Sequence, residues 1–253
     1  MRKGLFEFLK GVEKMPFLII VAICLIAIVS FLSSPKGRGW LGEICVKLVI
    51  GKTKPNDRYV INDFRLRTSN GRTSQIDHIV INRNGVFVIE TKNYSGRIYG
   101  QEQSQEWTQV LNYGKVKNKF YNPVKQNKTH VYHISNIIGA GVPIISAVVF
   151  VKGNVHFINS TGVYTLGGLR ALVKNTNGLL TPQKMEFLHT KLLEANDRSV
   201  TNAEHIENIR VMQYNMNNNI CPRCGKNLVM RNGKNGRFMG CEGYPNCKFT
   251  KNI

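Results

Sequence analysis

Residues 75–94 read QIDHIVINRNGVFVIETKNY. Two apolar runs flank the turn residues NRNG, as in a β-hairpin. The hairpin nevertheless carries Asp77, Glu90 and Lys92. Pairing Asn82 with Gly85 sets Asp77 opposite Glu90. A two-residue turn at Asn84-Gly85 sets Asp77 opposite Lys92 instead. In both registers the three side chains share one face, because strand side chains alternate. Ile76, Val80, Phe87 and Ile89 are expected on the other face.

Two neighbouring carboxylates resist joint ionisation. A divalent cation relieves that repulsion, and Mg²⁺ (or Mn²⁺) takes such hard oxygens, with water and phosphate oxygens completing its shell. A lysine beside it positions or deprotonates a water and neutralises charge on a phosphoryl transition state. An ordinary ion cluster at a strand end has the same composition.

Around the hairpin, helical and strand patterns alternate, which predicts an α/β fold with a mixed sheet carrying helices. WLGEICVKLV is expected to bury Leu41, Ile44, Leu48 and Val49, leaving Glu43 off the stripe. NPVKQNKTHVYHISNII begins with an Asn122 cap and Pro123 at the first helical position. On that helix Gln126, His130 and His133 lie away from Val131, Ile134 and Ile138. They face a polar cleft or solvent, and solvent is the expectation for His130 and His133. His78 reads as a hydrogen-bonded core histidine. Trp107 reads as a core or cleft-wall ring.

Four motifs, GWLGE, QIDHIVI, GVFVIETKNYSG and NPVKQN, occur in this order between Gly39 and Phe150. Together they resemble the nuclease-related (NERD) domain of the PD-(D/E)xK nuclease superfamily. The resemblance implies a restriction-endonuclease-like fold. It implies metal binding by Asp77 and Glu90, a catalytic lysine at Lys92, and accessory roles for Glu43 and Gln126. Ile76 stands where the superfamily name has proline, which is not a ligand.

The segment CPRCGKNLVMRNGKNGRFMGCEGYPNC holds Cys221, Cys224, Cys241 and Cys247. Two cysteine pairs at this spacing form a closed tetrahedral site for one structural Zn²⁺. The stretch resembles the C-terminal four-cysteine finger of type I DNA topoisomerases, which implies binding of single-stranded DNA. Arg223, Arg231, Lys234 and Arg237 supply phosphate contacts here, and Phe238 and Tyr244 supply stacking rings. Cys24 and Cys45 stand apart, so the cysteines do not read as a secreted disulfide framework.

The net charge is +20 over 253 residues. Solubility does not demand so much, and a polyanionic partner is expected: nucleic acid, DNA ahead of RNA. No charged residue occurs between Lys14 and Lys36. As a helix that run is about 31 Å long, enough for a bilayer core. The expected organisation is therefore a tail (1–14), a transmembrane helix (15–35), a nuclease-like domain (36–195), a connector (196–219) and the finger (220–253). SSPKGRG reads as a flexible linker. The flanking charges give no orientation. Zinc thiolates favour a reducing compartment, so the soluble domains are expected on the cytoplasmic side of the cell membrane. The functional expectation is a membrane-anchored, metal-dependent DNA nuclease. The alternative is a catalytically inactive DNA-binding or membrane-tethering protein that keeps the nuclease fold.

Overall fold

The computed structural model describes residues 19–68, 71–174, 178–233 and 236–252. The expected tail, the first residues of the apolar run and Lys234 lie outside the described residues.

Helix α1 (Ile19–Ser33) meets α2 (Pro35–Ile50) at a bend of 78°. The segment read as a flexible linker is the start of α2. Ser34 Oγ accepts the Gly37 N–H at 3.1 Å, and Pro35 takes the first helical position, so the chain caps a helix where a linker was expected. A side chain at Gly37 would collide with the Phe31 carbonyl, so the corner requires glycine. No single described helix is long and apolar enough to cross a membrane; α1 and α2 pass that test only as a bent pair. Ile20, Ile23, Leu25, Ile26, Ile28 and Val29 on α1 are all exposed.

The main sheet has five strands in the order β1 (Arg58–Arg67), β2 (Thr73–Asn82), β3 (Gly85–Lys92), β7 (Ile144–Phe150) and β9 (Val163–Thr165). The pairs β1–β2 and β2–β3 are antiparallel, while β3–β7 and β7–β9 are parallel. The helices expected from sequence form as α3 (Pro123–Ile138), α4 (Leu166–Leu172) and α5 (Pro182–Ala195). α3 and α5 bury Ile134, Ile138, Met185, Leu188 and Leu192 against one face. α2 and α4 bury Val46, Ile50 and Leu169 against the other. The buried stripe of α2 is thus Gly42, Val46 and Ile50; Leu48, expected inside, is 78% exposed.

A second sheet, in the order β6 (Val116–Tyr121), β5 (Glu106–Leu111), β4 (Arg97–Gln101) and β8 (Asn154–Asn159), packs Trp107 and Ile98 onto Val148 and Phe150. Trp107 is a core ring, and Gly100 leaves the room for it. The connector contains α6 (Asn202–Asn217), none of whose residues is buried. Strands β10 (Leu228–Gly233), β11 (Gly236–Cys241) and β12 (Thr250–Asn252) build the small C-terminal unit. The whole is a mixed α/β fold, sheets flanked by helices, ending in a cysteine cluster.

The β2–β3 hairpin adopts the Asn82↔Gly85 register, and its pairing runs out to His78↔Ile89. The residues facing the α3–α5 core change parity along β1 and β2. Ile61, Ile79 and Ile81 are odd, whereas Phe64, Leu66 and Ile76 are even. The ladder keeps its register on both sides, at Asn62↔His78 and Phe64↔Ile76. The switch falls between these pairs, at Asp63 and Asp77, where Asp63 has φ 54°. Ile76 therefore joins the α3–α5 core, away from Val80 and Phe87, where simple alternation had put it.

Candidate active site and metal centre

The face switch and the end of β3 bring the charged residues of the hairpin together. Asp77 Oδ2 accepts the Thr91 N–H at 2.7 Å, across from β2 to β3. Lys92 Nζ donates to Glu90 Oε1 at 2.6 Å and to Gln126 Oε1 at 3.2 Å. Glu90 is almost fully buried.

Gln126 reaches this point because of how NPVKQN folds. Asn122 Oδ1 caps α3 by accepting the Val124 N–H at 2.9 Å, while its amide donates to the Ser104 carbonyl at 2.8 Å. One turn on, buried Asn127 donates to the Val88 carbonyl at 2.9 Å and fastens α3 to β3. Gln126, between these anchors, is turned toward Lys92. GWLGE acts on the opposite side. A side-chain carbon at Gly42 would lie 2.7 Å from Asn93 Cβ, so glycine lets α2 touch the end of β3. Asn93 Nδ2 donates to the Arg38 carbonyl at 2.6 Å across the same contact. Glu43 follows, half-exposed, 3.9 Å from Lys47.

His130, expected at the surface, is buried. Its Nε2 lies 3.4 Å from Glu90 Oε2 and its Nδ1 lies 3.1 Å from Ser74 Oγ. The tautomer with Nε2–H serves both neighbours: Ser74 donates to Nδ1, and the ring faces the carboxylate with its N–H. The signal for it was available, since His130 lies one helical turn beyond Gln126. His78 is fully buried with Nδ1 2.7 Å from Asn62 Oδ1, and burial pulls its pKa down to about 3.

The electrostatics divide the two carboxylates. Burial pushes Glu90 up, but Lys92 and His130 outweigh it and bring the pKa down to about 2. Burial and the charge of Glu90 push Asp77 well above the usual carboxylate range, against the Thr91 N–H and Lys92. Burial opposes the charge on Lys92, yet Glu90 and Asp77 hold its pKa above the ordinary value. Glu43 is raised by burial and by the charges of Asp63 and Glu90, with Lys47 opposing. An open cavity of about 350 Å³, lined by Asn62, Asp63, Arg65, Asn196 and Arg198, adjoins the face switch.

These donors suit a hard divalent cation. The one polar neighbour of Glu90 Oε2 among the described residues is His130 Nε2, at a long 3.4 Å, and Asp77 and Glu90 destabilise one another as bare anions. Both effects are relieved by a shared cation with oxygen ligands.

In the C-terminal unit the four cysteine sulfurs lie within 4.8 Å of one another. Cys221 and Cys247 are 3.7 Å apart, Cys224 and Cys241 3.3 Å. A tetrahedron with bonds of ~2.3 Å has edges of about 3.8 Å, so this cluster fits Zn²⁺. The N–H groups of Arg223 and Gly243 point at Cys221 and Cys241 sulfur, as suits thiolates. Around the cluster, Arg223, Arg237 and Tyr244 are exposed and Phe238 is half-buried. Arg231 donates to the Cys241 carbonyl at 3.2 Å and lies over the Tyr244 ring at 5.7 Å, so it also braces the fold.

Comparison with known proteins bears on both units. Residues 38–151 match the nuclease-related domain, and residues 218–253 match the topoisomerase DNA-binding C4 zinc finger. An uncharacterized protein of Bacillus anthracis is 35% identical over 190 residues, covering 70% of this chain and 89% of that protein. DNA topoisomerase 1 of Methanothermobacter thermautotrophicus is 48% identical over 33 residues, 13% of this chain and 5% of its own length. The uncharacterized Escherichia coli protein YrdD is 51% identical over 35 residues, 14% of this chain and 19% of that one. No solved structure matches the chain. With an α/β domain bearing these motifs and a relative matched across most of its length, the chain belongs to the nuclease-related domain family and ends in a topoisomerase-type C4 zinc finger.

Proposed function

We propose that the protein is a membrane-anchored, divalent-metal-dependent nuclease that hydrolyses phosphodiester bonds in DNA. The observation that carries this reading is the meeting of Asp77, at the face switch within β2, with Glu90 and Lys92, at the end of the adjacent β3. The mixed order of β1, β2, β3 and β7 supports a restriction-endonuclease-like lineage.

In this reading Asp77 and Glu90 hold Mg²⁺ or Mn²⁺, with Glu43 beside them. Bound there, the ion supplies Lewis-acid stabilisation of the phosphoryl oxygens and a more acidic water. Water oxygen bonds to phosphorus and gives up a proton to solvent, the ester P–O bond breaks, and the departing oxygen takes a proton in return, so the step balances. Lys92, held beside Glu90, positions the attacking water and neutralises the developing negative charge. Gln126 aims the ammonium group and His130 fixes the Glu90 carboxylate. The finger, with Zn²⁺ on its four cysteines, keeps single-stranded DNA near the site and raises its local concentration.

The exposed apolar surface of α1 supports a lipid anchor, because so many uncovered aliphatic side chains are costly in water. The zinc thiolates support a cytoplasmic location for the rest of the chain.

The test incubates the full chain with plasmid, linear duplex and single-stranded DNA, with and without Mg²⁺ or Mn²⁺. Cleavage that requires the cation and disappears in Lys92→Ala is expected. Binding without cleavage under all of these conditions would overturn the enzyme reading in favour of an inactive DNA-binding or tethering protein.

A further inference from the structure

The β5–β6 hairpin lies outside the site described above. Leu111 pairs with Val116, and Asn112 to Lys115 form the tip. Residues 112–119 are exposed without a break. Tyr113 is 105% exposed, the highest value among the large apolar side chains described. It is also held in the left-handed region at φ 55°, next to Asn112 at 49°. Asparagine tolerates that conformation; tyrosine gains nothing from it locally, and glycine is the residue such a turn selects. A bulky ring is therefore kept, against backbone preference, where it touches nothing of its own chain.

The surroundings of the ring are cationic. Lys115, Lys117 and Lys119 follow within six residues, and no acidic residue occurs from Trp107 to Asn122. Lys119 has a loose, exposed partner in Glu106 at 3.9 Å. No ion pair is formed by Lys115 or Lys117 among the described residues. Lys117, Lys119 and Tyr121 share the face of β6 opposite the buried Trp107 and the half-buried Phe120, by the strand alternation.

We propose that this hairpin is a wing that grips single-stranded nucleic acid. Tyr113 stacks on an unpaired base, and Lys115 and Lys117 contact the flanking phosphates. The proposal rests on the nucleic-acid reading given above. Stacking on an exposed π-face is sequence-tolerant and needs a base that is not already stacked, hence a single strand. An aromatic tip with lysines also suits an anionic membrane surface. The base of the hairpin decides for nucleic acid. Gln109 Nε2 donates to the Ser95 carbonyl at 2.9 Å, Arg97 pairs with Val110, and the Phe120 ring meets the Tyr94 ring at 4.7 Å. The wing thus springs from the segment that directly follows Lys92. From Trp107 to the tip it extends about 14 Å at the rise of a strand.

The test measures fluorescence anisotropy of a labelled single-stranded oligonucleotide and of its duplex with the full chain over a range of salt. Tyr113→Gly is expected to weaken single-strand binding roughly 5- to 160-fold, the size of one base stack, with duplex binding changed little. Its melting temperature should be equal to or above that of the parent, because the strain is gone. Tyr113→Phe should bind as the parent does. The double variant Lys115→Gln/Lys117→Gln should lower the salt slope for single strands by about 1.4, or about 0.7 per phosphate lost. Parent-like binding by Tyr113→Gly and by the lysine double variant overturns the wing and leaves the nucleic-acid reading standing. No binding by the parent chain overturns both. Binding to phosphatidylserine vesicles that the same variants abolish, with oligonucleotide binding unchanged, assigns the wing to a membrane surface instead.

Discussion

Glu90 Oε1 and Lys92 Nζ are 2.6 Å apart, two residues along one strand, on side chains that are 4% and 17% exposed. The proposed ligand and the proposed catalytic cation are thus also a buried ion pair. Removing one partner of such a pair leaves the other uncompensated.

Lys92→Ala should therefore do two things. Cleavage should fall to background, and folding stability should drop by about 3 kcal/mol. Lys92→Met/Glu90→Gln should regain much of the stability and none of the activity. Denaturant unfolding read beside the nuclease assay checks this. A Lys92→Ala chain that is as stable as its parent would contradict the pairing.

His130 contacts Glu90 through the oxygen that Lys92 leaves free. His130→Ala should raise the Mg²⁺ or Mn²⁺ concentration needed for half-saturation roughly tenfold or more, since partners that orient a ligand are worth that much. Ser74→Ala should act in the same direction and less strongly. Mn²⁺ binding followed by electron paramagnetic resonance measures the effect apart from turnover. Unchanged Mn²⁺ affinity in His130→Ala would remove His130 from the site.

Two glycines of α2 should respond with opposite sign. Gly42→Ala puts a carbon 2.7 Å from Asn93 Cβ and should cost about 1–3 kcal/mol while displacing Glu43. Gly39→Ala meets nothing within 4 Å and should stabilise by about 0.5–1 kcal/mol. Thermal melts of the two variants give the comparison, and equal shifts would refute the docking of α2.

The purified, reduced chain should carry one zinc per molecule. Chelation should release hydrogen-exchange protection in β10, β11 and β12 and leave β2, β3 and β7 protected. Four small buried residues cannot hold that unit together without the metal. A chelated finger that keeps its protection would contradict a structural role for zinc.

Cys224 is the exposed member of the cluster and reports on topology. In intact cells a membrane-impermeant thiol reagent should fail to label it, even after chelation, and should label it once the cells are opened. Labelling in intact cells would reverse the proposed orientation.

By itself the sequence determined the local elements and the chemistry they carry. Asn122-Pro123 and Thr181-Pro182 cap their helices where their side chains satisfy free N–H groups, and such caps act within a few residues. The four cysteines lie at spacings that already specify a tetrahedral cluster. Asp77, Glu90 and Lys92 were bound to share a hairpin in either register.

Only the tertiary structure decided what depends on packing between distant segments. Both turns were open to NRNG, and both leave Ile79, Ile81, Val86 and Val88 on one face; which residues lie opposite each other was decided by the fold, which sets Ile79 against Val88 and Ile81 against Val86 in the core with α3 and α5. The parity change at Asp63 and Asp77 breaks the alternation on which strand reading depends, so the side of Ile76 could not be counted from sequence. His130 looked like a solvated residue on a polar helical face. It is buried because Asn122 and Asn127 clamp α3 over β3, contacts whose partners are between 18 and 39 residues away in the chain.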